Sequence, residues 1–477
     1  MISTDPSRVR LVAAALALGL AALAASAGPA SAASPEYTNG YTLGLEAYKY
    51  GLPLVKMDQT FRIQTSVDVD NGKGDGPTNQ IHNIKRLARA GDNTVVAPNN
   101  DTPYSIAWLN LSHQPMVIHI PRVNRYFVIP LYDPYTENFT NLGSVKKTKP
   151  GDYVVTGPGQ HNVKIPRGTH RIKTNYDRVW IIGRTQCNGQ SDIGNVNKIQ
   201  NRYRITPLNQ YGKHYKPTVP KNPDTTVDNV PMPSGLAFFD KLGYLLTKFP
   251  PPSADQAELD QLAQIGVGPG KRPSTDASLS ADTKQGMIDA VAAAPGVIQN
   301  EVVARYVSGF AAHNGWLVSP AGRYGTDYDY RAAITQVGLG ALQPAQAIYP
   351  LSQTDSTLTA LNGSKSYVIH FSAGQLPPVK AFWSLTLYDS SGFFVPNPID
   401  RYSIGDRTDL GYNPDGSLDI YVQSAQPLDP AQAKNWLPSP TGANFRLIMR
   451  LYATESSQIQ GILEGSGWDP PTITYTP

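Results

Sequence analysis

Cysteine is nearly absent. The 477-residue chain has one, Cys187, so no intramolecular disulfide can form and the fold must rest on core burial. Charge is sparse as well: charged residues make up 16%, below the roughly 25% of an average soluble domain. With 41 Lys+Arg against 37 Asp+Glu the formal charge is +4, which gives no electrostatic case for a nucleic-acid partner. Long apolar runs are missing but for Leu11 to Leu23, and that run is shorter than the roughly 20 residues needed to span a bilayer. The eight histidines include no His-x-His and no His-Glu-x-x-His, so no metal site is expected. Gly-x-Ser-x-Gly is absent, and Gly465-Ser466-Gly467 lacks its spacing. No Gly-rich loop precedes a Lys-Ser/Thr pair, so no nucleotide and no cofactor is expected either.

What is present is glycine and proline, 41 of each, and tyrosine, whose 26 copies outnumber Phe (12) and Trp (6). Arg8 and Arg10, the apolar run after them and the small residues Ala30-Ser31-Ala32 read as a secretory signal over residues 1–33, cleaved near Ala32/Ala33. The expectation is a secreted or extracytoplasmic protein with no stable membrane insertion. Cys187 follows the apolar string Val179-Trp180-Ile181-Ile182, where a buried thiol is expected.

Periodicity divides the mature chain. Residues 34–92 form a helical segment, in which Leu43, Ala47, Tyr50, Leu54 and Met57 recur at helical spacing and Gly51 and Pro53 should break the helix. Residues 93–231 hold short β-rich runs: Thr94–Ala97, Ser105–Leu109, Val117–Ile120, Tyr126–Tyr132, Tyr153–Thr156 and Val179–Ile182. Residues 232–345 turn helical, with one helix marked by Leu236, Phe239, Leu242 and Leu246 and a break expected at Pro295-Gly296. From 346 to 477 the β pattern returns. Val117-Ile118-His119-Ile120 and Leu131-Tyr132-Asp133 reappear as Val368-Ile369-His370-Phe371 and Leu387-Tyr388-Asp389, and Arg184 and Arg450 hold similar places in later strands. The fold expected is mainly β with helical additions: two jelly-roll or β-sandwich units of an internal repeat, joined by a helical insert.

Several strings also resemble known families. Ala381 to Asp389, Phe394-Val395-Pro396-Asn397-Pro398, Asp415-Gly416-Ser417-Leu418, Asn435 to Pro440 and Arg450-Leu451-Tyr452 resemble the domain-of-unknown-function family twelve-fourteen. Pro98 to Tyr104, Leu131-Tyr132-Asp133 and Gly157-Pro158-Gly159 resemble its usual N-terminal partner, family twelve-fifty-four. The resemblance implies a two-sandwich exported bacterial protein and brings no settled activity, so no catalytic residue is carried over. It is weakest over Thr140 to Pro150, where Lys146, Lys147 and Lys149 stand.

Candidate ligand-binding residues are Asn99, Asn100, Asp101, Tyr104, Tyr132, Asp133, Tyr388, Asp389, Trp436 and Arg450. Asn, Asp and Tyr side by side can donate and accept hydrogen bonds around a polyhydroxylated molecule, with a ring for its apolar face. The same Asn and Asp can equally build the turn itself. Glycoside hydrolysis requires two carboxylates, and Asp133 and Asp389 could be such a pair, but they lie in different copies of the repeat; Asp133 and Glu137, four residues apart, would be a closer pair, though a turn does not let their separation be read from sequence. Three functions remain open: binding of a small or carbohydrate-like ligand, a secreted metal-independent hydrolase or lyase with a carboxylate/Tyr/Arg site, and a structural envelope-associated protein. Asp101→Ala is expected to abolish any ligand response and leave the fold intact. Oligomeric state is not legible.

Overall fold

The computed structural model of the chain describes residues 33–92, 97–217, 230–309 and 313–477. The expected export signal, except its last residue, and most of the strand expected over Thr94–Ala97 lie outside the described residues.

Helix α1 (Pro35–Gln64) begins at Ser34, whose hydroxyl accepts the Tyr37 N–H, with Pro35 in the first turn where a missing N–H costs little. The first β unit holds β1 (His82–Asn83), β2 (Tyr104–Asn110), β3 (Met116–Ile120), β4 (Phe127–Tyr132), β5 (Asn138–Gly143), β6 (Gly151–Thr156), β7 (His170–Lys173), β8 (Arg178–Thr185), a short helix α2 (Ile193–Gln200) and β9 (Arg204–Pro207). Helices α3 (Leu236–Lys248), α4 (Gln256–Leu262), α5 (Ala281–Gly309) and α6 (Tyr328–Gly338) follow. The second β unit holds β10 (Ala347–Ile348), β11 (Leu351–Ser352), β12 (Ser366–Phe371), β13 (Val379–Asp389), β14 (Ser403–Gly405), β15 (Leu418–Gln423), α7 (Pro430–Lys434), β16 (Trp436–Pro438), β17 (Phe445–Thr454), α8 (Ile459–Glu464) and β18 (Ile473–Thr476).

Each unit is a pair of sheets. In the first, β1-β2-β8-β4-β5 faces β7-β6-β3-β9; in the second, β10-β17-β13-β14 faces β16-β15-β12-β18. Alternation along the strands sends Ala107, Leu109, Ile129, Leu131, Val179 and Ile181 inward against Ile118, Ile120 and Val155. Trp383, Leu385, Leu387, Met449 and Leu451 do the same against Tyr367, Ile369, Phe371 and Ile420.

The repeat extends to register. Val128 pairs with Arg184 and Tyr132 with Trp180; in the second unit Ser384 pairs with Arg450 and Tyr388 with Arg446. On the other side of the same strands, Val128 lies opposite Gly143 and Ser384 opposite Gly405. In the facing sheets, His119 pairs with Asp152 at 2.8 Å and His370 with Asp419 at 2.6 Å, at the same register position. Asp133 and Asp389 accept the N–H four residues on, from Glu137 and Phe393.

Two expected helix breaks do not occur. Pro53 lies inside α1 and Pro295 inside α5. A proline inside a helix costs about 3 kcal/mol, and tertiary packing offsets it: Tyr50, Leu52, Leu54 and Val55 of α1 join Phe238, Leu242, Leu246, Met287, Ala294 and Ile298 in one buried core. Helices α1 and α5 approach backbone to backbone, since a Cβ at Gly40 would lie 2.3 Å from the Thr283 carbonyl oxygen and one at Gly286 2.3 Å from that of Tyr37.

Candidate functional site

The outward faces of β4, β8, β13 and β17 carry the residues that alternation removes from the two cores: Val128, Tyr132, Trp180, Ile182 and Arg184 on one sheet, with Tyr126 just before β4, and Phe382, Ser384, Thr386, Tyr388, Arg450 and Tyr452 on the other. These two faces meet. Tyr126 packs edge-on against Phe382 with ring centroids 5.8 Å apart, and both touch Tyr452. Tyr126 and Phe382 hold equivalent places in the repeat, so the two units meet through the same position of each.

Beside this contact the seam turns polar. Arg184 is buried and donates to the carbonyl oxygens of Ile182 (3.1 Å) and Gly340 (2.8 Å), with Tyr132, Tyr349, Tyr104 and Tyr452 around it. Its guanidinium lies over the Tyr104 ring, 5.6 Å from the centroid. Arg450, also buried, donates to Thr386 Oγ1 (2.8 Å), Tyr388 Oη (2.6 Å) and the Ala97 carbonyl (3.2 Å). Burial pushes the Tyr388 phenol up to about 12, against the opposing pull of Arg450. Asp101, 1% exposed, accepts from Ser384 Oγ (2.6 Å) and pairs with Arg407, which lies 4.0 Å over the Phe382 ring. Burial raises Asp406 to about 6 despite Arg407 beside it. The seam thus sets three guanidiniums against two carboxylates. Tyr104 and Tyr349 are only half-buried and mark its accessible side.

Of the residues singled out from the sequence, Asn99, Asp101, Tyr104, Tyr132, Tyr388 and Arg450 come together here. Asn99 donates to Tyr452 Oη (2.8 Å), and the neighbouring Asn100 instead bonds the Ala88 carbonyl (2.9 Å). Tyr132 donates to the Gly340 carbonyl at 2.8 Å. Asp133 points to a separate cluster with Glu137 and Arg331, Asp389 holds its own turn, and Trp436 is buried with its Nε1 on the Gln423 carbonyl (2.8 Å). Cys187 is buried, its thiol pushed up to about 11 by burial and by Asp192.

Sequence reasoning missed Tyr349, Tyr452 and Arg407 as site residues. Tyr452 belongs to the Arg-Leu-Tyr string, and Arg184 could have been promoted with Arg450 from their shared repeat position. Elsewhere, a recess of about 480 Å³ opens on the second unit beside His370, Ser372 and Asp469. Its His370 and Asp469 are already paired, with Asp419 and His313. Among the described residues no group of three or more His, Cys, Asp or Glu side chains is placed to hold a metal, and no helix is long and apolar enough to cross a membrane.

Residues 78–207 match the family described as protein of unknown function (DUF1254), and residues 346–456 match protein of unknown function (DUF1214). The chain belongs to this paired family. The DUF1254 match covers β1 to β9 and the DUF1214 match β10 to β17, so the seam lies between the two matched regions. A crystal structure of the VPA0106 protein from Vibrio parahaemolyticus is similar, with TM-score 0.67 and 22% identity over 92% of this chain and 100% of that one. An uncharacterised protein from Burkholderia cenocepacia aligns with TM-score 0.41 and 11% identity over 92% of this chain and 94% of that one. No curated protein matches. The Vibrio likeness shows the fold and assigns no activity.

Proposed function

We propose that the chain is an exported binding protein that holds a small organic acid, sugar acids included, in the seam between its two sandwiches. The observation that supports this reading is Arg184: a buried guanidinium that meets only backbone carbonyls and tyrosines, in a seam where cations outnumber carboxylates. A ligand carboxylate would supply the missing counter-charge through charge-assisted hydrogen bonds. Tyr104 and Tyr349 offer ring faces and hydroxyls at the accessible side.

Calorimetric titration of the mature chain with mono- and dicarboxylates and sugar acids tests this. Tyr104→Phe should weaken the best ligand by roughly tenfold, the value of about one hydrogen bond to a charged group, with the ligand-free melting temperature unchanged. Absence of binding by every acid, or binding indifferent to Tyr104→Phe, would refute the seam as the site. A metal-independent hydrolase or lyase is the second reading. One observation favours it: burial and Glu137 raise the Asp133 carboxyl to about 7, a value suited to proton transfer. Mass analysis of the titrated sample would show turnover if that reading holds.

A further inference from the structure

Away from the seam, α6 places Arg331 in the interior. It is 1% exposed, yet its Nε and Nη2 have no hydrogen-bond partner. Three tyrosine rings surround the guanidinium, with centroids 5.2 Å (Tyr328), 5.6 Å (Tyr135) and 5.7 Å (Tyr50) from its central carbon. They come from α6, the turn after β4 and α1, so three distant parts of the chain converge on one cation.

The hydroxyls of these rings are already engaged. Tyr50 and Tyr328 donate to the two oxygens of Asp255 at 3.1 and 3.0 Å, and Tyr135 donates to the Phe249 carbonyl at 2.7 Å. Their rings are turned to the guanidinium itself. Asp133 and Glu137 close the cluster from the turn after β4, each taking two backbone positions as partners: Tyr135 and Glu137 for Asp133, Tyr324 and Gly325 for Glu137. Both carboxylates are half-buried, which makes this the approachable side.

An unsatisfied buried donor costs about 1–3 kcal/mol, and more on a charged group, so Arg331 is a strained choice for a merely structural residue. Charge decides what it could hold. One guanidinium stands against the carboxyls of Asp133, Glu137 and Asp255, which disfavours an anion, and Arg331 itself disfavours a cation. A neutral molecule with many hydroxyls meets both: its oxygens accept from the guanidinium and its hydroxyls donate to the carboxylates. We propose that the Arg331 cluster is a second ligand site, separate from the seam, that binds a small neutral polyol.

Calorimetric titration of the full chain with D-glucose, D-galactose and myo-inositol, and with succinate as a charged comparison, tests the proposal. At least one polyol should bind saturably, and Arg331→Lys should weaken it tenfold or more, because an ammonium cannot reproduce the planar fork of donors. Asp133→Asn, which keeps an oxygen to hold the turn, should weaken it severalfold, and this variant decides if Arg331→Lys fails to fold by circular dichroism. Three results would overturn the proposal. The first is failure of every polyol to bind saturably up to about 50 mM, far above a millimolar Kd. The second is a bound polyol indifferent to both substitutions. The third is binding of succinate alone, lost in Arg331→Lys, which would make this an anion site.

Discussion

Asp101 shows how burial changes what a substitution tests. As a loop residue in a polar string it reads as a ligand contact whose removal spares the fold. In place, it is the counter-charge of Arg407 and the acceptor of Ser384, and almost no solvent reaches it. Removing one partner of a buried pair leaves the other uncompensated, at about 3–5 kcal/mol. Asp101→Ala should therefore lower the free energy of unfolding by that amount in a denaturant titration. A loss below about 1 kcal/mol, as for an exposed pair, would contradict the geometry. A ligand response lost in this variant would not by itself locate a site, and the half-buried Tyr104 is the better probe.

At the scale of elements, the two β units repeat down to a backbone collision. A Cβ at Gly143 would lie 2.4 Å from the Phe127 carbonyl oxygen, and one at Gly405 2.2 Å from that of Trp383. In each unit a threonine hydroxyl accepts the glycine N–H, Thr148 at 2.7 Å and Thr408 at 3.2 Å. Gly143→Ala and Gly405→Ala should each destabilise by about 1–3 kcal/mol, the usual cost of overpacking, and by similar amounts. Unequal losses in thermal denaturation would mean that one copy has relaxed away from the other.

Much of this level was legible. Strand positions followed from short β-rich runs bounded by turn residues, and β4 and β8 read as continuous runs because both of their faces are buried, one in a core and one in the seam. The helix breaks expected at Pro53 and Pro295 did not occur, because local propensity is a small term beside the burial of α1 and α5 in a shared core. The candidate site was legible in two places, the polar string Asn99 to Tyr104 and the positions that the repeat exposed. Arg184 and Arg450 share a position that two copies reveal on comparison. Arg331 has no such counterpart signal: it stands in the ordinary string Tyr328-Asp329-Tyr330-Arg331, and Tyr50, Tyr135 and Asp255 come from far along the chain. Convergence of that kind is a property of topology, invisible to spacing.

For the whole molecule, the seam decides whether the two sandwiches behave as one body. Phe382 touches Tyr126, Tyr452 and Arg407 at its centre. Phe382→Ala should cost about 3–5 kcal/mol as a core truncation. Because that loss falls on the contact between units, calorimetry should show one heat-absorption peak for the parent chain and two for the variant. A single peak moved to lower temperature would show that the units are coupled elsewhere.

The near-symmetry of that contact has a consequence for recognition. Two identical subunits would present a molecule on their axis with the same group from both sides, and it could sit either way round. Within one chain the halves are free to drift apart, and they have: Tyr126 answers Phe382, Val128 answers Ser384, and Gln186 stands where the other half has Tyr452. One side is richer in hydroxyls and aromatic surface than the other. A guest without symmetry of its own would therefore enter in a single orientation, which no pair of identical halves could enforce.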